Sequence, residues 1–175
     1  MTGVQTCALP ISRIVADRVL LVGLGREREY GESKFRSAIA SAVKALKSTG
    51  ATDATICFTE ATPGKRDIAW KVAQSVLGAL DGTYRFDRLK SKKVGAKASL
   101  RKFTFLVPDA AAIAACKAAA ARAKAVADGV AFAKDLGNLP ANICTPTYLA
   151  SEARELAKRY RMKATVLGQI GRAHV

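Results

Sequence analysis

The chain holds one histidine, His174, in the closing stretch IGRAHV. A histidine can act as general base or metal ligand, but only with partners beside it. No Cys, Asp or Glu cluster stands near it at metal-ligand spacing. No G-x-S-x-G turn is present to hold a nucleophilic serine. GLGRERE, from Gly23 to Glu29, begins like a dinucleotide loop after a strand. Its third glycine position is Arg28, so a plain strand-to-helix turn is the expectation. Asp53 and Lys134–Asp135 are expected at the surface. Cys57, Cys116 and Cys144 are too few and too widely spaced for a disulfide framework or zinc site. They are expected to be reduced and buried.

The two ends share one piece of DNA chemistry. ATC GGA AGA GCA CAC GTC is a permitted spelling of Ile170–Val175. Its reverse complement lies inside CAG ACG TGT GCT CTT CCG ATC, a spelling of Gln5–Ile11. The shared string resembles a sequencing-library adapter read on opposite strands. Residues 1–12 and 170–175 are therefore expected to be adapter-derived and are set aside from fold reasoning. His174, Cys7 and Pro10 leave the argument with them, and no Ser-His-Asp or Cys-His device remains.

Arg13 to Gln169 is long enough for one domain with an ordinary core. Hydrophobic residues make up 50% and charged residues 25% of the chain, which fits a globular protein. No apolar run approaches bilayer length, so no membrane partner is expected. The formal charge of +15 is densest in RFDRLKSKKVGAKASLRK, Arg85 to Lys102, where Asp87 is the only acid. Arg88, Lys90, Lys92, Lys93, Lys97, Arg101 and Lys102 are candidate contacts for the phosphates of DNA. No stacking aromatics or nucleic-acid motif accompany them, and a solvated basic loop is the competing reading.

The elements that would position these residues follow from periodicity. RVLLVGLG reads as a buried strand entering a glycine turn. Phe35, Ala38, Ile39, Ala42, Val43 and Leu46 recur at helical spacing, with Gly50 as the stop. ATICFT is a second strand. A second helix is expected to bury Ala69, Val72, Ala73, Val76, Leu77 and Leu80 and to end at Asp81–Gly82. KFTFLV is a third strand, and Asp109 then caps an alanine-rich helix reaching about Leu136. At 1.5 Å per residue that helix spans about 40 Å, with Ile113, Val126 and Val130 as its larger contacts. Thr145 and Pro146 open a last helix at its cap and first turn. That helix presents Leu149, Ala153, Leu156, Ala157 and Tyr160 on one face. KATVLG reads as a final strand. The alternation predicts an α/β fold.

DLGNLPANICTPTYLA, Asp135 to Ala150, resembles the leucyl aminopeptidase (cytosol aminopeptidase) family. Asp135, Leu136, Asn138, Pro140, Asn142, Thr145 and Pro146 match its D-L-x-N-x-P-x-N-x-x-T-P stretch in order. VLLVGLGRERE, YRFDRLKSKK and ARELAKRY are similar to further family segments, so the likeness covers Asp17 to Leu167.

The resemblance implies an incomplete macro-domain-like α/β sandwich over 13–109, a connecting helix over 110–136 and the start of a truncated catalytic domain over 137–169. It implies a cytoplasmic parent that assembles as a homo-hexamer. Two divalent cations (manganese, zinc or magnesium) would there polarise a peptide carbonyl and activate water to release an N-terminal residue. The family's metal-binding carboxylates and lysine fall beyond Leu167. No catalytic or metal residue is therefore carried over, no cofactor is expected on this chain, and it is expected to be inactive alone. Asp135, Asn138, Pro140, Asn142, Thr145 and Pro146 are expected to be structural, forming a prolyl turn, a cap and a hinge. A DNA-binding side role, similar to that of some bacterial members, is the alternative for the basic run.

Overall fold

The computed structural model describes residues 4–7, 16–58, 62–90 and 100–167. These form two compact units, Met1–Phe132 and Ala133–Val175. In the first unit, β1 (Val4–Cys7) pairs antiparallel with β2 (Val19–Val22). β1 lies in the segment expected to be adapter-derived. A ladder uses backbone groups, so its pairing says nothing of the segment's origin. α1 (Glu32–Thr49) follows a short 3-10 turn at Glu27–Glu29. β3 (Asp53–Cys57) and β4 (Lys102–Leu106) pair in parallel, Asp53 opposite Lys102 and Cys57 opposite Leu106. The connection between them carries α2 (Ile68–Thr83), as a parallel pair requires a crossover. This α/β alternation is the predicted fold class. Among the described residues, β2 pairs only with β1.

Local chemistry explains the helix limits. α1 carries Glu32 in its first turn and ends on Gly50 at φ 73°, a left-handed position that glycine takes without a Cβ penalty. Its Phe35, Ala38, Ile39 and Val43 are buried, as their spacing predicts. α2 starts where the Asp67 carboxylate accepts the Trp70 N–H at 2.8 Å. The core joins Tyr30, Phe35, Ile39, Val43 and Ala79, with Leu24, Phe58, Trp70 and Phe103 packed against them.

α2 buries a different stripe from the one expected. Lys71, Val72, Ser75 and Ala79 are buried, while Ala69, Ala73, Val76, Leu77 and Leu80 are half-buried. The helix is rotated by its fit to α1. A Cβ on Gly78 would stand 2.7 Å from Ile39 Cγ2, and one on Gly82 2.7 Å from Val43 Cγ1. Gly82 is thus a packing residue, and α2 runs on to Thr83 instead of stopping at Asp81–Gly82. Arg36 meets Gln74, Ile39 meets Gly78 and Val43 meets Gly82, so the two helices lie side by side in the same direction.

Three further expectations change. The strand β2 is not fully buried, since Leu21 is 58% exposed. α3 (Ile113–Asn138), entered through a 3-10 turn capped by Asp109, buries Cys116, Ala119, Ala123 and Ala127. Ile113, Val126 and Val130 are exposed instead. Small side chains let that face approach its surroundings closely, which leaves the bulkier valines to the opposite side. Cys57 is exposed, because alternation along β3 turns it to the outer face. Cys116 is buried, Cys144 half-buried, and all three are free thiols.

The second unit holds the end of α3, a turn and α4 (Pro146–Tyr160). Only Ala157 of the expected apolar face is buried; Leu149 and Tyr160 are exposed. Lys163 to Leu167 take no strand conformation. A strand exists only within a ladder, and no other strand of this unit is described. No helix among the described residues is long and apolar enough to cross a membrane.

The glycine contacts yield a stability test. Gly78→Val is expected to lower unfolding free energy by about 2 kcal/mol, because the branched side chain drives into Ile39 and overpacks the seam. Urea unfolding monitored by circular dichroism measures it. Ile39→Ala in the same chain should recover part of the loss.

Candidate functional site

The basic run divides at the edge of the described residues. Lys92, Lys93 and Lys97 lie outside them. Arg88 and Lys90 follow α2 and are exposed, and Arg101 and Lys102 are exposed at the start of β4. Asp87 faces two of the run's cations, Arg85 at 3.2 Å and Lys90 at 2.6 Å. Such exposed pairs are worth little energy, so they leave the cations available to an anion. The Arg101 amide donates to the Thr52 carbonyl at 2.7 Å, which fixes the entry to β4 beside β3.

The stretch from Asp135 to Pro146 joins α3 to α4. Asp135 and Asn138 are in the last turns of α3, and Leu139 is buried just beyond. The Pro140 carbonyl accepts the amides of Ile143 and Cys144, both at 2.9 Å, closing a tight turn over exposed Asn142. Thr145 then caps α4, its hydroxyl accepting the Tyr148 N–H at 3.3 Å. Pro146 takes the first helical position, where a missing N–H costs nothing. Asp135, Asn138, Pro140, Asn142, Thr145 and Pro146 thus follow one another along a helix end, a tight turn and a helix start.

GLGRERE forms a turn. Gly25 sits at φ 81° and the 3-10 turn Glu27–Glu29 leads to Tyr30 and α1. Arg28 is exposed. Among the described residues no three His, Cys, Asp or Glu side chains gather as metal ligands.

A cluster that the sequence reading missed lies where α1 and α2 begin. Glu32 accepts from Arg36 Nη2 at 3.3 Å and from Arg66 Nε at 2.7 Å. Arg36 Nε also donates to Gln74 Oε1 at 2.8 Å. Both guanidinium carbons lie over the Trp70 ring, at 5.7 Å for Arg36 and 5.6 Å for Arg66, within cation–π range. Trp70 in turn packs on Phe35 at 5.4 Å, and the aromatic contacts continue from Phe35 to Phe58 and from Phe58 to Phe105. The Glu32/Arg36 pair was legible as an i,i+4 spacing on a helix. Arg66 reaching Glu32 was not, because it depends on how α1 meets α2.

Among the described residues, burial shifts three groups. It pushes the Tyr30 hydroxyl pKa up and the Lys71 ammonium pKa down. Burial, and secondarily the Asp67 charge, pushes the Cys116 thiol up, which makes it a poor nucleophile at neutral pH. The Ser75 hydroxyl, fully buried, donates to the Lys71 carbonyl at 2.8 Å.

A sequence profile described as "Cytosol aminopeptidase family, N-terminal domain" matches residues 6–93. A "Probable cytosol aminopeptidase" of Dechloromonas aromatica (strain RCB) is 48% identical over 153 residues, covering 87% of this chain and 31% of that protein. One from Nitrosospira multiformis is 49% identical over 156 residues, covering 87% of this chain and 30% of its own length. Among solved structures, the bottromycin maturation enzyme BotP is similar at TM-score 0.70 and 27% identity, over 92% of this chain and 32% of its own. A mutant tomato leucine aminopeptidase is similar at TM-score 0.67 and 26% identity, over 90% and 30%. The chain spans about a third of the length of these proteins.

The thiols give a reading of burial. A disulfide reagent such as Ellman's is expected to modify Cys57 within seconds and Cys116 only when the protein unfolds. The raised thiol pKa of folded Cys116 adds stability that is complete below the unfolded thiol value and is lost as pH rises through the folded one. Cys116→Ala should therefore flatten that part of the alkaline fall in melting temperature.

Proposed function

Because the chain belongs to the cytosol aminopeptidase family, we propose that it is the N-terminal part of a metal-dependent aminopeptidase that releases N-terminal residues from peptides. The observation that carries the reading is the family profile over residues 6–93, extended by 48% identity over 153 residues to a protein named for that activity. Within it, 13–109 is the macro-like domain, 110–136 the connecting helix and 137–169 the opening of the catalytic domain. Asp135, Asn138, Pro140, Asn142, Thr145 and Pro146 shape the passage between the last two. The turn on Pro140 and the Thr145 cap support that structural role.

The whole protein would hold two divalent cations, manganese, zinc or magnesium, which polarise the peptide carbonyl and supply an activated water. One of the solved relatives is described as a complex with Mn. The described residues of this chain do not fit such a centre, because no set of three candidate ligands converges. No hydrolytic step is therefore routed through them. The metal-binding carboxylates and lysine are assigned to the portion of the relatives that this chain does not span. A homo-hexameric assembly and a cytoplasmic location belong to the same reading, the latter in keeping with the relatives' name.

A second reading concerns the basic run. The chain's formal charge of +15 and the exposure of Arg88, Lys90, Arg101 and Lys102 favour contact with the phosphates of DNA.

Two experiments separate these readings. The purified chain with manganese and a leucine amide should give no turnover above a blank of metal alone; measurable hydrolysis would mean that it carries its own catalytic groups. Duplex DNA binding, if the basic run is a DNA contact, should weaken steeply with salt. Replacing Lys90, Lys92 and Lys93 together should reduce the slope of log affinity against log salt by up to about 3. An unchanged slope would move the contact elsewhere.

A further inference from the structure

The cluster at the start of α1 and α2 sets two guanidiniums, Arg36 and Arg66, on one shared carboxylate, Glu32. The nearby Asp67 carboxylate is engaged as the N-cap of α2. The side chains of Arg36 and Arg66 remain 54% and 51% exposed, so both forks face water. Neither is loose: each lies over the Trp70 ring, and Arg36 is also fixed by Gln74.

Because α1 and α2 run in the same direction, their amino-terminal ends lie on the same side. Those ends add partial positive charge to the same region. The aromatic contacts from Trp70 lead through Phe35 to Phe58, which directly follows the carboxyl end of β3. That end of a parallel sheet is where α/β folds take ligands.

We propose that the Arg36–Trp70–Arg66 surface binds a phosphoryl anion of the pyrophosphate or phosphate-monoester class. A phosphoryl group brings more charge than the Glu32 carboxylate it must displace. Its oxygens suit two guanidinium forks held one carboxylate's breadth apart. A monocarboxylate offers no such advantage over Glu32. Its test reads anion binding and not hydrolysis, so its outcome is distinguishable from that of the aminopeptidase reading.

Trp70 is the sole tryptophan of the chain, so its fluorescence reports on this surface alone. Inorganic pyrophosphate titrated into the full chain at constant ionic strength is expected to produce a saturable emission change. Arg36→Gln and Arg66→Gln should each weaken binding at least about tenfold, the loss of a charge-assisted contact, while leaving the melting temperature nearly unchanged. Glu32→Gln, which removes the competing carboxylate, should tighten binding; a purely structural cluster would not respond in that sense. Adenosine diphosphate binding like pyrophosphate would mean that only the phosphoryl groups are read, and tighter binding that the nucleoside adds contacts. No saturation up to about 10 mM pyrophosphate would overturn the proposal. So would equal binding by succinate, or unchanged affinity in both arginine variants.

Discussion

Close contact between two parallel helices sets the geometry of the first unit. Gly78 and Gly82 present no side chain where Ile39 and Val43 press against α2. That seam turns Val72, Ser75 and Ala79 inward and brings Gln74 beside Arg36. It also carries Lys47 to the end of α2, where its ammonium donates to the Gly82 carbonyl at 2.8 Å. A cation there satisfies a carbonyl that no further helical turn can reach, and it opposes the negative ends of both helices. At the opposite ends, the same alignment brings Glu32 to Arg66. One steric condition therefore fixes contacts at both ends of the helix pair.

Much of this was legible from residue type and spacing. Phe35, Ile39 and Val43 marked the inner face of α1, Gly50 its stop, and Thr145–Pro146 the start of α4. These signals are local: a period, a cap, a left-handed glycine. What escaped was set by partners. Gly82 read as a stop, yet with Gly78 it forms the contact surface of α2. The valines of α3 read as its anchors, yet Val126 is 57% exposed while the alanines pack inward. KATVLG had the composition of a strand, but composition supplies no neighbour to pair with. The Arg36–Trp70–Arg66 cluster escaped for the same reason, since its members belong to separate elements.

The profile match ends at residue 93, and the relatives' identity carries on through the turn at Pro140. What that sequence builds is a core, a long helix and a directed turn. The titratable groups it shifts are a tyrosine, a lysine and a thiol, each displaced chiefly by burial. Packing accounts for all three without any reaction. Exposed guanidiniums and an ammonium stand, by contrast, around Asp87 and around Trp70.

The parallel pairing of β3 with β4 also governs the order of events during synthesis. Asp53 must wait for Lys102, about fifty residues downstream, before its ladder can form. α1 and α2 need no such delay, since each closes its hydrogen bonds within itself as it leaves the ribosome. The helices are thus available as a template before the strand that completes the sheet exists. Until Leu106 emerges, Asp53–Cys57 lacks the partner it has among the described residues, and water must satisfy its amides.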